Sequence, residues 1–177
     1  MLKKILITGG QASGKSSMAL KMADDITGER VFIATSRYLD GELNQKIENH
    51  KKERGNRYDT IEEPLELHEA LKKAVLKKTD VIIIDCITMW ISNLLIEKGE
   101  SKIESYVDKY LSVINLAQRN EFSGTLITVT NECGLGVIPA NELSRKYVKH
   151  LGRTNKKIAA AYDDVYLTCC GLEIRIK

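Results

Sequence analysis

The chain has 177 residues, of which 43% are hydrophobic and 29% charged, and its formal net charge is +3. This composition is ordinary for a soluble globular protein, and the length predicts a single domain covering residues 1–177. A net charge this small, with only 6% aromatic residues, does not favour nucleic-acid binding. No apolar run approaches the length of a membrane span, so none is predicted.

The N-terminus and the cysteines indicate the compartment. The first apolar run, residues 5–7, ends at once in Thr8-Gly9-Gly10, so no signal peptide is predicted. The cysteines have neither C-x-x-C spacing nor a pair of histidines nearby, which argues against a zinc site. We therefore expect reduced thiols in a cytoplasmic protein, with Cys169 and Cys170 in a strand and pointing to opposite faces; the four cysteines are Cys86, Cys133, Cys169 and Cys170.

A phosphate-binding loop is the clearest motif. Residues 4–16 read KILITGGQASGKS, an apolar strand followed by Gly-x-x-x-x-Gly-Lys-Ser, and a helical stretch comes next. In such a loop the backbone N–H groups and the helix N-terminus face the phosphates, Lys15 contacts the β- and γ-phosphates, and the Ser16 hydroxyl binds Mg²⁺. The flanking strand and helix disfavour a chance glycine-rich turn. The predicted nucleotide-binding residues are Gly9, Gly10, Gln11, Ala12, Ser13, Gly14, Lys15 and Ser16.

Strand and helix patterns alternate along the chain. Strands are predicted at residues 5–8, 31–34, 81–85, 125–130, 165–170 and 173–176. The first four are largely continuous apolar runs, which are typical of strands buried on both faces of a parallel sheet. Helices are predicted around residues 17–25, 39–47, 67–75, 103–117 and 141–158, and Gly171 indicates a terminal hairpin. The pattern predicts an α/β fold with a mostly parallel sheet and a C-terminal antiparallel hairpin.

In such a fold, ligands bind at the carboxyl ends of the strands. Asp85 closes the run Val-Ile-Ile-Ile-Asp, where its carboxylate can serve Mg²⁺ or its waters, or merely stabilise a turn. Ala34, Thr35 and Ser36 end another strand, and their polar groups can contact a nucleotide or form a local turn. The segment 131–139 is a long loop with two glycines at the same edge, and loops of this length are often functional.

Two basic segments have more than one interpretation. His50 lies among Lys51, Lys52 and Arg54, where an imidazole flanked by cations suits phosphate chemistry, or is simply a surface histidine on a basic helix. The last predicted helix can be capped by Asn141. Its apolar side is predicted to carry Leu143, Tyr147, Leu151 and Ile158. It also carries a basic stripe that is either a solvated face or a wall for phosphates or an acidic substrate: Arg145, Lys149, Arg153 and Lys157.

These motifs together resemble a known family. The whole chain is similar to the bifunctional adenosylcobinamide kinase / adenosylcobinamide-phosphate guanylyltransferases of cobalamin biosynthesis. The resemblance includes the phosphate loop, IATS ending at Ser36, and LDxELxxKIxxHK around His50. It continues with DCITxxxxNLL from Asp85, VTNECGLGVIP ending at Pro139, GRxNxxIAAA from Gly152 and the final GLEIRIK.

The resemblance implies a fold and two reactions. The fold is a RecA-like three-layer phosphate-loop NTPase, and the family tends to form trimers. In the first reaction, ATP or GTP phosphorylates adenosylcobinamide; in the second, GMP from GTP passes through a guanylylated histidine to adenosylcobinamide phosphate. Carried over, His50 is the nucleophile, and the family's nucleotide-contacting segment and acidic positions are Lys51, Lys52, Glu53, Arg54, Glu62 and Asp85.

The chain departs from the family pattern at two positions. Ala12 stands where family members carry an arginine, which could weaken phosphate contacts, and Asp85 replaces a glutamate, which shortens the reach to the metal. Two other functions remain open at this point. One is a phosphate-loop kinase of another pathway without a covalent GMP intermediate, and the other is a regulatory nucleotide-binding module. The sequence does not distinguish ATP from GTP as the phosphate donor, and it does not indicate where the corrinoid docks.

Overall fold

The structure is a computed structural model, and it describes residues 1–37 and 55–177. The strands of the described residues are β1 (Leu2–Gly9), β2 (Arg30–Ala34), β3 (Asp59–Glu62), β4 (Val81–Asp85), β5 (Gly124–Val129), β6 (Asp164–Cys169) and β7 (Leu172–Arg175). They form one sheet in the order β3-β2-β4-β5-β1-β6-β7. All neighbouring pairs are parallel except β6 and β7, which confirms the predicted parallel sheet with an antiparallel C-terminal hairpin.

Helices cover both faces of the sheet. They are α1 (Lys15–Asp24), α2 (Leu67–Leu76), α3 (Ile87–Glu97), α4 (Ile103–Arg119) and α5 (Glu142–Ala161), with short 3₁₀ turns at Gly55–Arg57 and Glu100–Lys102. One apolar cluster joins the sheet to α2, α3, α4 and α5, and a second joins its other face to α1. The described elements therefore form the three layers that the alternating pattern predicts.

Strand β4 shows why its sequence is a continuous aliphatic run. Ile82 and Ile84 pack into the cluster under α2 to α5, whereas Val81 and Ile83 pack into the cluster under α1. Successive side chains of a strand point to opposite faces, so a strand covered on both sides needs apolar residues at every position. Each of these four side chains is at most 1% exposed.

A buried hydroxyl network fastens the two longest helices to the centre of the sheet. Tyr162, directly after α5, hydrogen bonds through its hydroxyl to Tyr110 of α4 at 2.6 Å and to Thr128 of β5 at 2.7 Å. Burial raises the pKa of Tyr110 to about 12 and that of Tyr162 well above its ordinary value, so both phenols remain neutral donors. The polar atoms thus satisfy one another inside an apolar layer.

The structure corrects four details of the sequence-based expectations. Helix α3 (Ile87–Glu97) was not among the predicted helices. Strand β3 was not predicted, because it is a short edge strand whose side chains are mostly exposed and leave no apolar run. Cys170 lies in the hairpin turn rather than in β6, and its sulfur is 3.8 Å from that of Cys169, so the two do not point to opposite faces. Leu143 is 54% exposed and does not join the core with Leu151 and Ile158.

The hairpin turn itself follows from two backbone conformations. Cys170 and Gly171 both have positive φ, 53° and 77°, and they join Cys169 directly to its partner Leu172. Two consecutive residues with positive φ are the signature of the tight type I′ turn, which suits the twist of paired strands.

The predicted helix around residues 39–47 lies outside the described residues. Within the described part of the chain, no helix is both long and apolar enough to cross a bilayer.

Candidate nucleotide site

The phosphate loop runs from the end of β1 to the start of α1. Gly14 precedes α1 with a φ of 99°, and no side chain caps the helix there, so the first N–H groups of α1 face the loop. Ala12 also has a positive φ, 56°, a conformation that side-chain-bearing residues rarely adopt. The α1 boundary confirms the helix that the motif predicts after the loop.

Gly9 marks the place where the loop packs most closely against β6. Its φ is 151°, and a Cβ atom there would lie 2.4 Å from the backbone oxygen of Thr168. The Thr168 hydroxyl hydrogen bonds to the Ser13 hydroxyl at 2.6 Å, and Gly171 N donates to Ser13 O at 3.2 Å. On the other side, Glu132 N donates to Gly9 O at 2.9 Å. The loop is therefore held between the C-terminal hairpin and the segment after β5.

A cavity of about 390 Å³ opens above this loop. Its lining combines the loop and the start of α1 with the carboxyl ends of β4 and β5: Gln11, Ala12, Ser13, Gly14, Lys15, Ser16, Ser17, Asp85, Cys86, Val129 and Asn131. Most of the loop residues predicted from the motif thus share one cavity with Asp85. Of the predicted loop residues, Gly9 and Gly10 do not line the cavity. Gly9 instead packs closely against Thr168 of β6.

Register explains why Asp85 reaches the phosphate loop. In the sheet Asp85 pairs with Val129 of β5, and Val129 pairs with Ile7 of β1, two residues before the loop. With neighbouring strands about 4.8 Å apart, two spacings separate β4 from β1 by roughly 10 Å. This distance suits a carboxylate and a phosphate loop that approach the same ligand from two sides.

Lys15 and the oxygen groups define the chemistry of the cavity. Burial lowers the pKa of the Lys15 ammonium below its ordinary value, while the Cys86 and Asp85 side chains oppose that shift. Lys15 Nζ donates to the Gly10 carbonyl inside the loop. The Ser16 hydroxyl and the Asp85 carboxylate are hard oxygen donors, and Mg²⁺ typically takes one or two such protein ligands and fills the rest of its shell with water and phosphate oxygens. The donor set fits that ion.

Thr35 joins the ends of β2 and β4. Its buried hydroxyl donates to Cys86 O at 2.6 Å and accepts from Cys86 N at 2.8 Å, and Asn93 Nδ2 donates to Thr35 O at 2.9 Å. These bonds fix the backbone next to Asp85. The Thr35 hydroxyl is thus used in hydrogen bonds within the protein. Ala34, Thr35 and Ser36 do not line the phosphate cavity, so a nucleotide contact by any of them stays a prediction.

Asn131 is one of the lining residues that the sequence did not single out, together with Ser17, Cys86 and Val129. Its N–H donates to Thr88 Oγ1 at 2.7 Å, and Asn155 Nδ2 donates to its carbonyl at 3.0 Å. Thr130 Oγ1 in turn donates to Asn155 Oδ1 at 2.8 Å. The backbone of Asn131 is therefore fixed where the residue lines the cavity. The signal available in the sequence was its position as the second residue after β5, at the carboxyl edge.

Two thiols border Lys15. Burial raises the pKa of the Cys86 thiol to about 12 and also raises that of Cys133, so both are neutral thiols rather than thiolates near neutral pH. Of the residues that the structure describes, no group of three or more His, Cys, Asp and Glu side chains is placed to hold a metal ion.

Glu62 lies farther from the phosphate cavity. Glu62 is at the carboxyl end of β3, where it pairs with Ala34 of β2. Four strand spacings, roughly 19 Å, separate β3 from β1. His50, Lys51, Lys52, Glu53 and Arg54 lie outside the described residues. In the basic stripe of α5, Lys157 forms ion pairs with Glu104 and Asp108 at 3.0 and 2.9 Å, which favours a solvated face at that position.

Comparison with known proteins identifies the family. Residues 5–176 match the family described as cobinamide kinase / cobinamide phosphate guanyltransferase. The chain belongs to this family. A bifunctional adenosylcobalamin biosynthesis protein of Pseudomonas aeruginosa, CobP, is 34% identical over 172 residues, covering 97% of this chain and 96% of that protein. The corresponding protein of Escherichia coli, CobU, is 33% identical over 183 residues, covering 98% and 99%.

A further relative and one solved structure agree with this. CobU of Salmonella typhimurium is 34% identical over 182 residues, covering 98% of this chain and 99% of that protein. The crystal structure of the RadB recombinase superposes with a TM-score of 0.57 at 13% identity, covering 93% of this chain and 73% of that one. At this identity the likeness concerns the fold alone, and it confirms the predicted RecA-like fold class.

The contact between Gly9 and Thr168 leads to a prediction about nucleotide binding. Gly9→Ala should weaken the binding of a non-hydrolysable ATP or GTP analogue about 10-fold or more, because the new methyl group overlaps the Thr168 carbonyl and strained backbone conformations cost roughly 1–3 kcal/mol. Gly10→Ala is the matched control, since a Cβ there meets no atom within 4 Å. Titration calorimetry measures both. Equal binding by the two variants would contradict the proposed packing of the loop.

The position of Asp85 leads to a second prediction. Asp85→Asn should leave the fold intact and lower catalysis by about 100-fold or more, because a Mg²⁺ held by Asp85 would supply positive charge that stabilises the transition state of phosphoryl transfer. High Mg²⁺ should restore part of the rate. Asp59→Asn is the control, because Asp59 begins β3 at the opposite edge and pairs with Lys77. A fully active Asp85→Asn protein would reduce Asp85 to a turn residue.

Proposed function

We propose that this protein phosphorylates adenosylcobinamide with ATP or GTP and then transfers GMP from GTP to the product, yielding adenosylcobinamide-GDP in cobalamin biosynthesis. The observation that carries the proposal is the cavity in which Lys15, Ser16 and Asp85 converge, in a chain that belongs to the cobinamide kinase / cobinamide phosphate guanyltransferase family. Phosphoryl transfer needs little covalent chemistry from a protein beyond positioning and charge neutralisation, and this cavity offers both.

In the kinase half, the phosphate loop positions the nucleoside triphosphate. The backbone N–H groups of the loop and the start of α1 bind the β-phosphate, and the Lys15 ammonium neutralises the developing charge on the γ-phosphate. The acceptor is the aminopropanol hydroxyl of adenosylcobinamide. Ser16 and Asp85, directly or through water, are the proposed holders of Mg²⁺, which would supply positive charge to offset that of the phosphates.

In the transferase half, His50 is the proposed nucleophile. A neutral imidazole nitrogen attacks the α-phosphorus of GTP, forming a phosphorus–nitrogen bond and releasing pyrophosphate. A phosphate oxygen of adenosylcobinamide phosphate then attacks the same phosphorus and frees the histidine. The family resemblance around His50 supports this role, and it also supports nucleotide contacts by Lys51, Lys52, Glu53, Arg54 and Glu62.

The same proposal covers organisation and location. We infer that residues 1–177 act as one domain in which a single phosphate loop serves both reactions, since the sequence contains no second Gly-x-x-x-x-Gly-Lys motif. Assembly as a homotrimer follows from the family resemblance. Cytoplasmic location follows from the supply of ATP and GTP as substrates and from the expectation of reduced cysteines.

A labelling experiment with His50→Ala tests the covalent step. The variant should take up no label from α-labelled GTP and should lose guanylyltransferase activity, because no neighbouring side chain readily replaces the imidazole; Lys51 is protonated at neutral pH unless its pKa is depressed. Its kinase activity with ATP should survive at least in part. The wild-type adduct should resist alkali and be lost in acid, as expected for a phosphorus–nitrogen bond to histidine.

A second histidine provides the control for this experiment. His150→Ala should label normally, because His150 is held on α5 by Glu100 at 2.9 Å and does not line the phosphate cavity. Persistent labelling of His50→Ala would move the nucleophile to another residue, with Lys51 the first to test. A wild-type protein that phosphorylates a substrate but never labels would instead be a phosphate-loop kinase without a covalent GMP intermediate.

A further inference from the structure

The loop between β5 and α5 exposes large aliphatic side chains beside the nucleotide site. Leu135, Val137 and Ile138 are 84%, 95% and 81% exposed. Single exposed aliphatic residues are common on protein surfaces, but three within four positions concentrate exposed apolar area on one loop, which points to a binding site. We call these three residues the apolar loop.

The residues on either side of the apolar loop are held by hydrogen bonds, and those before it lie at the phosphate site. Before it, Asn131 lines the phosphate cavity and Glu132 N donates to Gly9 O at 2.9 Å. After it, Arg145 of α5 donates to the Pro139 carbonyl at 3.1 Å and also to that of Ala140. The aliphatic side chains are therefore presented at the edge of the sheet where the transferred phosphate lies, rather than at a remote surface.

The acceptor substrate is too large for the phosphate cavity. A corrinoid is a macrocycle edged with methyl groups and amide side chains, and a volume of about 390 Å³ is at the small end of the range for drug-sized ligands and already has to admit the triphosphate. Only the aminopropanol arm can reach the phosphorus, where in-line attack requires close and oriented approach. The ring has to rest on a surface that adjoins the cavity, and apolar contact is what its methylated edge can offer.

We propose that the apolar loop is the platform on which the corrin ring of adenosylcobinamide rests while its hydroxyl reaches the phosphate held by Lys15. This inference rests on the proposed function and adds to it the docking surface of the second substrate. The loop contributes apolar contact area, and the adjoining Asn131 and phosphate loop set the distance from ring to reacting phosphorus. A corrinoid bound there loses water from both its own edge and the aliphatic side chains.

The test is a double substitution on the apolar loop. Val137→Ser/Ile138→Ser should raise the KM and the dissociation constant for adenosylcobinamide about 10-fold or more, because two large apolar contacts are removed. Equilibrium dialysis, read by the visible absorbance of the corrinoid, measures binding independently of turnover. The KM for ATP and labelling by α-labelled GTP should be unchanged, since neither involves the ring. Both side chains are almost fully exposed, so the fold should be unaffected.

The control removes two exposed aliphatic side chains elsewhere on the protein. Leu76→Ser/Leu116→Ser changes residues that are 73% and 54% exposed near the ends of α2 and α4, where the chain leads into the amino ends of β4 and β5. This variant should bind adenosylcobinamide like the wild type. Unchanged corrinoid binding by the loop variant would overturn the proposal. So would dissociation of the assembly in light scattering, which would assign the loop to an interface between copies. If the wild type itself does not phosphorylate adenosylcobinamide, the proposed function fails instead.

Discussion

The phosphate loop depends on one close contact, the approach of Gly9 to Thr168 of β6. Because no Cβ atom fits between them, the loop can lie directly on the end of β6, where the Ser13 and Thr168 hydroxyls bond at 2.6 Å. The tight Cys170–Gly171 turn then brings Gly171 N to Ser13 O. The C-terminal hairpin, far away in sequence, thus holds the conformation of an N-terminal motif. Small displacements of reacting groups cost large factors in rate, so this packing governs the site.

The order of the strands then brings the remaining groups to the loop. Strand β5 lies between β1 and β4, so Asn131 stands between the phosphate loop and Asp85. Thr35 hydrogen bonds to the backbone of Cys86, next to Asp85, whereas Thr88 and Asn155 hydrogen bond to the backbone of Asn131 itself. These hydrogen bonds keep the residues that line the candidate nucleotide site in fixed positions. The apolar loop extends outward from these residues, where the large acceptor has to approach.

Much of this could be predicted from the sequence, for physical reasons. A strand buried on both faces must be apolar throughout, so the central strands and the parallel sheet were predictable, and the phosphate loop has a fixed spacing because its glycines must bend the backbone. Strand β3 was missed because an exposed edge strand needs no apolar pattern. Asn131 was missed because its importance comes from a cavity and from hydrogen bonds to Thr88 and Asn155, which lie 43 and 24 positions away. The contact of Cys169 with Cys170 depends on a positive φ, which sequence periodicity does not reveal.

The central claim is that a single phosphate loop serves both the kinase and the guanylyltransferase reaction. The most direct measurement assays the two half reactions separately on Lys15→Ala, with phosphorylation of adenosylcobinamide in one assay and transfer of GMP from α-labelled GTP in the other. Both should be lost, because Lys15 lines the cavity that we propose binds the triphosphate in each reaction. A normal rate in either assay would contradict the claim and would require a second nucleotide site.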